Sequence, residues 1–241
     1  MLTEERKTEL RDNYLRVLEQ IEEARLRRGG GEPVTLLAAT KTVPEEEILF
    51  LVRECGLKIC GENRQQEFTA KYDGVTGAGA RMDFIGHLQT NKIRFVAGRA
   101  GLLHSLDSLR LASELDARCR TIGAVQDVLI EVNIGEEEAK TGVAPAMFDE
   151  ILSRMGEYRA LNVRGIMTMA PKCEKNEDFR RYFRKSYQIY LDFLRKKQHN
   201  IGEGILSMGM SDSYVCAVEE GSTMVRVGSA IFGARAYPAK N

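Results

Sequence analysis

The reactive chemistry in this 241-residue sequence lies in a lysine, an arginine and two loops that set serine beside glycine. Lys41 closes the apolar run TLLAATK (35–41), which reads as a strand with the lysine as its last residue. Under strand alternation Leu37 and Ala39 share its face, and the small Ala39 leaves room beside the lysine stem. Two readings stand: a solvent-facing lysine at a strand end, or an amine held over a closed site, where desolvation favours Schiff-base chemistry. SMGMSDS (207–213) and RVGS (226–229) place Ser211, Gly228 and Ser229 at successive strand-to-helix junctions. Glycine allows close backbone approach, and hydroxyl and amide donors at helix starts suit phosphate oxygens. The same residue types also fill ordinary turns.

Arg226 interrupts the apolar run MVRVGSAIFG (224–233), and a buried cation there needs a partner. That partner is either a core carboxylate such as Glu131 in LIEVN or an acceptor on a ligand. Asn63, in GEN (61–63), is a helix cap or a ligand contact. His87 ends another strand-like run and, as a lone histidine, reads as a structural group. Lys140 sits in a charged loop and reads as solvated, while the tyrosines and phenylalanines of 176–198 read as packing residues. His87, His104 and His199 show no zinc-binding spacing. The five scattered cysteines form no C-x-x-C pair and read as reduced thiols in a cytoplasmic protein.

These candidates need a scaffold that brings strand ends together. Residues 3–28 carry Leu10, Tyr14, Val17, Ile21 and Ala24 at helical spacing, and Gly29-Gly30-Gly31 ends that helix. Strand-like runs then recur at 35–41, 58–61, 82–87, 102–107, 128–134, 163–169, 205–210 and 224–233, with helical patterns between them. Strand–helix alternation repeated eight times predicts a (β/α)₈ TIM barrel. A doubly wound open sheet is the alternative, but no Gly-rich fingerprint follows the first strand. The expected organisation is a helix over 1–31 packed on a barrel over 32–241, one domain in all. In such barrels the site lies at the C-terminal strand ends, with phosphate often bound after strands seven and eight.

Composition narrows the functions. Lys plus Arg equals Asp plus Glu at 35 each, which argues against a nucleic-acid partner. The N-terminus lacks the apolar core of a secretory signal, and no run is long enough to span a membrane.

Taken in order, the motifs AATKTVP, GENRQQE, FIGHLQTNK, HSLDS, VNIGEEEAKTG, VRGIMTM, LSMGMSDS and GSTMVRVGSAIFGAR resemble those of the pyridoxal phosphate homeostasis proteins (YggS/PROSC-like). The resemblance runs from about Leu36 to Arg235. It implies a fold-type III barrel like the N-terminal domain of alanine racemase, with pyridoxal 5′-phosphate (PLP) joined covalently to Lys41. It also implies Asn63 near the cofactor ring, Arg226 facing the pyridine nitrogen, and Ser211, Gly228 and Ser229 on the phosphate. Ser207 lies on the same rim and is carried over less firmly. His87 and Ser229 depart from residues common in relatives, but the serine keeps a phosphate-binding hydroxyl.

An arginine at the ring nitrogen disfavours its protonation and so weakens carbanion stabilisation. Alanine racemase adds a second acid/base from a partner's C-terminal domain, and this chain stops soon after the last strand. The expectation is therefore a monomeric, non-enzymatic PLP carrier that influences supply to PLP-dependent apoenzymes and so amino-acid balance. A single-domain racemase or decarboxylase ranks next, then a cofactor-free Schiff-base aldolase, then a pure interaction protein.

Overall fold

The computed structural model describes residues 2–137, 140–196 and 201–234. His199 lies outside them. Eight parallel strands close into a barrel in sequence order: β1 (Thr35–Ala39), β2 (Ile59–Glu62), β3 (Arg81–Phe84), β4 (Leu103–Leu106), β5 (Gln126–Val132), β6 (Leu161–Thr168), β7 (Ile201–Ser207) and β8 (Met224–Val227). The expected TIM barrel is therefore present. Closure comes from β1 pairing with β8, where Leu37 stands opposite Arg226 and Ala38 opposite Val227. The helices are α1 (Glu4–Arg27), α2 (Glu45–Cys55), α3 (Gln65–Gly77), α4 (Ile93–Val96), α5 (Leu109–Thr121), α6 (Phe148–Arg154), α7 (Asn176–Arg195), α8 (Tyr214–Glu219) and α9 (Ser229–Phe232).

Two apolar layers follow from the alternation of each strand. Leu37, Ala39, Ile59, Ile85, Leu102, Leu129, Met167 and Met224 fill the barrel interior. Their neighbours, such as Leu36, Ala38, Val128, Ile130 and Val225, pack outward against the helices. On α7 the buried residues Phe179, Phe183, Tyr190 and Phe193 serve that outer layer, and the helix lies on β6, β7 and α8.

Helix α1 starts at Thr3, whose hydroxyl accepts the Arg6 N–H at 3.2 Å, and Glu4 and Glu5 occupy the positive end of its dipole. It buries Leu10, Tyr14, Val17, Ile21 and Ala24 and packs on α2, α8 and α9. Its polar residues also bind the end of the barrel. Arg6 donates to Phe232 O at 2.8 Å, Asn13 to Ile231 O at 3.1 Å, and Arg28 to Ser222 O at 2.8 Å. The short helix α9 is thus held from outside.

Several boundaries differ from the sequence reading. Strand β1 ends at Ala39, so Lys41 lies in a turn beyond it and not on the strand itself. The last apolar run divides at Gly228 into β8 and α9, because Ile231 and Phe232 bury by helical and not strand spacing. The run at 145–155 opens with a 3₁₀ turn (Pro145–Met147) before α6. Between β3 and β4 only a 3₁₀ turn (Thr90–Lys92) and the four-residue α4 occur.

Candidate functional site

The sequence-predicted residues converge on the C-terminal ends of β1, β2, β7 and β8. Lys41, Gly228 and Ser229 line one cavity of about 280 Å³, with Ala39 and Phe232 also in its wall. Gly228 is where β8 meets β1: a Cβ there would stand 3.0 Å from Ala39 O and 3.4 Å from Ala39 Cβ. Ser211 belongs to the neighbouring loop. Its Oγ accepts the N–H of Gly228 at 3.1 Å and of Ala230 at 3.3 Å, so two backbone donors point at one oxygen. Its own hydroxyl proton remains available to a further acceptor. The β7 exit is made by Gly209 at φ +95°, where a Cβ would meet Ala217 Cβ at 2.5 Å. Ser211 and Ser229 also line a second cavity of about 600 Å³ reaching Asn13 and Arg16 on α1.

Asn63 does not line the Lys41 cavity. It faces a small cavity of about 170 Å³ shared with His87 and Lys92, at the exit of β2. The cap reading fails, because Arg64 and not Asn63 occupies the N-cap position of α3. The side-chain Oδ1 is buried and has no hydrogen-bond partner in the structure. A buried, unpaired acceptor is costly, which favours a group suited to a ligand over a structural one.

Arg226 is inside the barrel, 4% exposed. Of the two kinds of partner that the sequence allowed, the bridge to Glu131 is not made. Its Nη1 donates to Ser207 O at 2.8 Å and Ser207 Oγ at 2.6 Å, and Nη2 donates to Thr168 O at 3.0 Å. Glu131 acts on it only through space, while its own carboxylate accepts from Thr141 Oγ1 at 2.8 Å. Three acceptors use three of five guanidinium N–H groups, leaving capacity for a ligand. Burial pulls the Arg226 pKa down to about 10, with Glu131 opposing. The Glu131 carboxyl is pushed above the usual carboxylate range, chiefly by burial.

A polar chain that the sequence reading missed runs from Arg226 across the interior. Ser207 Oγ lies 3.3 Å from His104 Nδ1, His104 Nε2 lies 3.3 Å from Asp83 Oδ2, and Arg81 pairs with Asp83 at 2.9 Å. Every donor is satisfied if Ser207 gives its proton to Nδ1 and the histidine carries its proton on Nε2. Burial holds the His104 pKa below the ordinary histidine value, against the pull of Asp83. The ring is therefore neutral at pH 7, as that proton arrangement requires. Polar residues at inward strand positions, Asp83 in MDF and His104 in LHSL, were the available signal.

A second missed group surrounds the Lys41 turn. Lys71 of α3 donates from Nζ to Thr40 O at 2.9 Å and to Glu62 Oε1 at 2.8 Å. Thr40 Oγ1 donates to the same Glu62 oxygen at 2.7 Å. On the other side of Lys41, the Thr42 N–H donates to Glu67 Oε2 at 2.6 Å. Thr42 has φ +64°, a left-handed conformation that a β-branched residue rarely adopts.

The remaining candidates have other roles. His87 pairs through Nδ1 with Asp107 at 2.8 Å and is exposed. Lys140 pairs with Glu137 in its loop. Among the described residues no group of three or more His, Cys, Asp or Glu could hold a metal ion. No helix among them is long and apolar enough to cross a membrane.

Comparison with known proteins places this geometry among relatives. The family model for the alanine racemase N-terminal domain matches residues 74–236. The pyridoxal phosphate homeostasis protein of Aquifex aeolicus is 45% identical over 223 residues, 92% of this chain and 96% of that one. The crystal structure of an unknown protein from Bifidobacterium adolescentis matches at TM-score 0.91 and 33% identity, covering 96% of this chain and 98% of its own. PipY of Synechococcus elongatus, solved with PLP bound, matches at TM-score 0.75 and 28% identity, covering 88% of this chain and 100% of its own.

Proposed function

This chain belongs to the pyridoxal phosphate homeostasis protein family, and on that premise we propose that it binds PLP covalently through Lys41 and buffers its supply in the cell. The observation that carries the reading is the meeting of Lys41, Gly228 and Ser229 on one cavity wall. The residues present fit the group. Gly228 leaves a cradle no side chain could share without pressing on Ala39, Ser211 is fixed by two amides with its own hydroxyl proton left for a phosphate oxygen, and Asn63 offers an orphaned acceptor.

When bound, the cofactor supplies an electron-withdrawing pyridine ring and an aldehyde that condenses with amines. The roles of the protein groups follow from their positions. Lys41 provides the amine, Ser211 and Ser229 hold the phosphate by hydroxyl donation, and Gly228 gives it room for close approach. Arg226 donates an N–H toward the ring nitrogen and, being a cation, opposes its protonation. That choice favours holding the cofactor over using it. The protein is accordingly proposed as a monomeric cytoplasmic carrier without turnover of its own, supplying PLP-dependent apoenzymes, with residues 1–31 and 32–241 forming one domain.

A single-domain racemase or decarboxylase is the second reading, favoured by the His87–Asp107 pair as a proton-transfer group at the barrel rim. Titration of the purified protein with PLP, followed by visible absorption, tests the proposal. A saturable shifted band in wild type and its loss in Lys41→Ala are expected. Solvent-deuterium incorporation into an amino acid at a catalytic rate would instead select the racemase.

A further inference from the structure

We propose that Glu67 is a positioning residue for Lys41, acting with Lys71 and Glu62 to tie down the backbone on both sides of the lysine. The proposal rests on the reading that Lys41 is the cofactor-bearing amine.

The geometry is a three-point tie. Upstream of Lys41, the Thr40 carbonyl accepts Lys71 Nζ at 2.9 Å, and the Thr40 hydroxyl is fixed on Glu62 at 2.7 Å. Downstream, the Thr42 N–H is fixed on Glu67 at 2.6 Å. The two anchors are joined, since Lys71 Nζ is also 3.4 Å from the same Glu67 oxygen. Glu67 and Lys71 are one turn apart on α3, so a single rigid helix holds both ends of the lysine turn.

Two features indicate that this tie serves position. Thr42 is held at φ +64°, which an untethered threonine would abandon for the ordinary negative-φ regions, moving Lys41 with it. Glu62 is completely buried and Lys71 nearly so, an arrangement that apolar residues of similar volume would match or better for stability alone. Burial also raises the Glu62 pKa, with Lys71 opposing, and one Glu62 oxygen has no partner in the structure. A fold that needed only a packed α3–barrel contact would not require these groups.

The test compares Glu67→Ala, Glu67→Asp and Glu67→Gln with wild type. Gln can still accept the Thr42 N–H, Ala cannot, and Asp keeps the charge but is one methylene too short. Two readouts are taken: PLP affinity by visible titration, and the rate at which trinitrobenzenesulfonate labels Lys41 in ligand-free protein, followed by peptide mapping. Loss of one charge-assisted hydrogen bond predicts about tenfold weaker PLP binding in Ala and Asp, with Gln within about twofold of wild type. The Lys41 labelling rate should change in Ala and Asp but not in Gln, with unfolding midpoints close to wild type. If Ala fails to fold, Asp against Gln decides. Wild-type affinity and labelling in both Ala and Asp would overturn the proposal, as would equal losses in all three variants, since Gln keeps the Thr42 acceptor that the proposal makes decisive. A wild type that takes up no PLP would instead overturn the functional reading, while labelling would still report on the tie.

Discussion

Replacing Arg226 by methionine should cost the protein little stability while weakening its grip on PLP. A guanidinium whose pKa burial pulls down to about 10 carries a burial cost of about 3 kcal/mol. Against that cost stand its hydrogen bonds to Ser207 O, Ser207 Oγ and Thr168 O. Removing them takes from Ser207 Oγ the donor it accepts from, though its own proton still reaches His104, for a loss of about 2–4 kcal/mol including weakened packing. The two effects nearly cancel, and methionine fills much of the vacated volume. At about 2–4 °C per kcal/mol for a chain of this size, the unfolding midpoint should stay within about 6 °C of wild type. PLP affinity should fall about tenfold or more, since the charged donor proposed for the ring nitrogen is lost. Differential scanning fluorimetry and spectral titration measure the two effects on one preparation. A midpoint lowered by more than about 12 °C with PLP affinity intact would refute the reasoning and make Arg226 a structural support.

Two further substitutions separate function from stability. Asn63→Ala removes a buried acceptor that lacks a partner, so stability should hold or rise by up to about 2 kcal/mol while PLP affinity falls about fivefold; a clear loss of stability would mean that Oδ1 is satisfied without ligand. His104 titrates lower in the folded protein than in the unfolded chain, so its contribution to stability is present above about pH 6.5 and is lost as pH falls through the folded value. The wild-type unfolding midpoint should therefore drop more steeply below that pH than that of His104→Gln, and equal slopes would contradict the neutral, buried ring.

The barrel was legible because its apolar runs recur with helix signals between them, and strand order then follows from the parallel rule. Boundaries were less legible where apolarity continued through a change of structure, as at Gly228, or where the turn began earlier than the apolar run suggested, as at Thr40–Lys41. That Lys41, Gly228 and Ser229 lie at strand exits and share a cavity wall was legible from residue type and strand-end position, while their proposed roles came from the resemblance. The partners of Arg226 could not be found: they are two carbonyls and a serine hydroxyl on β6 and β7, and carbonyls leave no mark in a sequence. Asp83, His104, Glu62 and Lys71 did leave a mark, as polar residues on otherwise apolar faces. Which of them meet is a matter of barrel register and helix packing, and needs coordinates.

The central claim is that Lys41 is the amine that holds PLP. The most direct measurement is borohydride reduction of the PLP-loaded protein, followed by proteolysis and mass mapping of the modified lysine, with Lys41→Ala alongside. The account predicts a pyridoxyl group on Lys41 in wild type and loss of the saturable visible band in Lys41→Ala. A stoichiometric adduct on another lysine in wild type, or an unchanged band in Lys41→Ala, would contradict it.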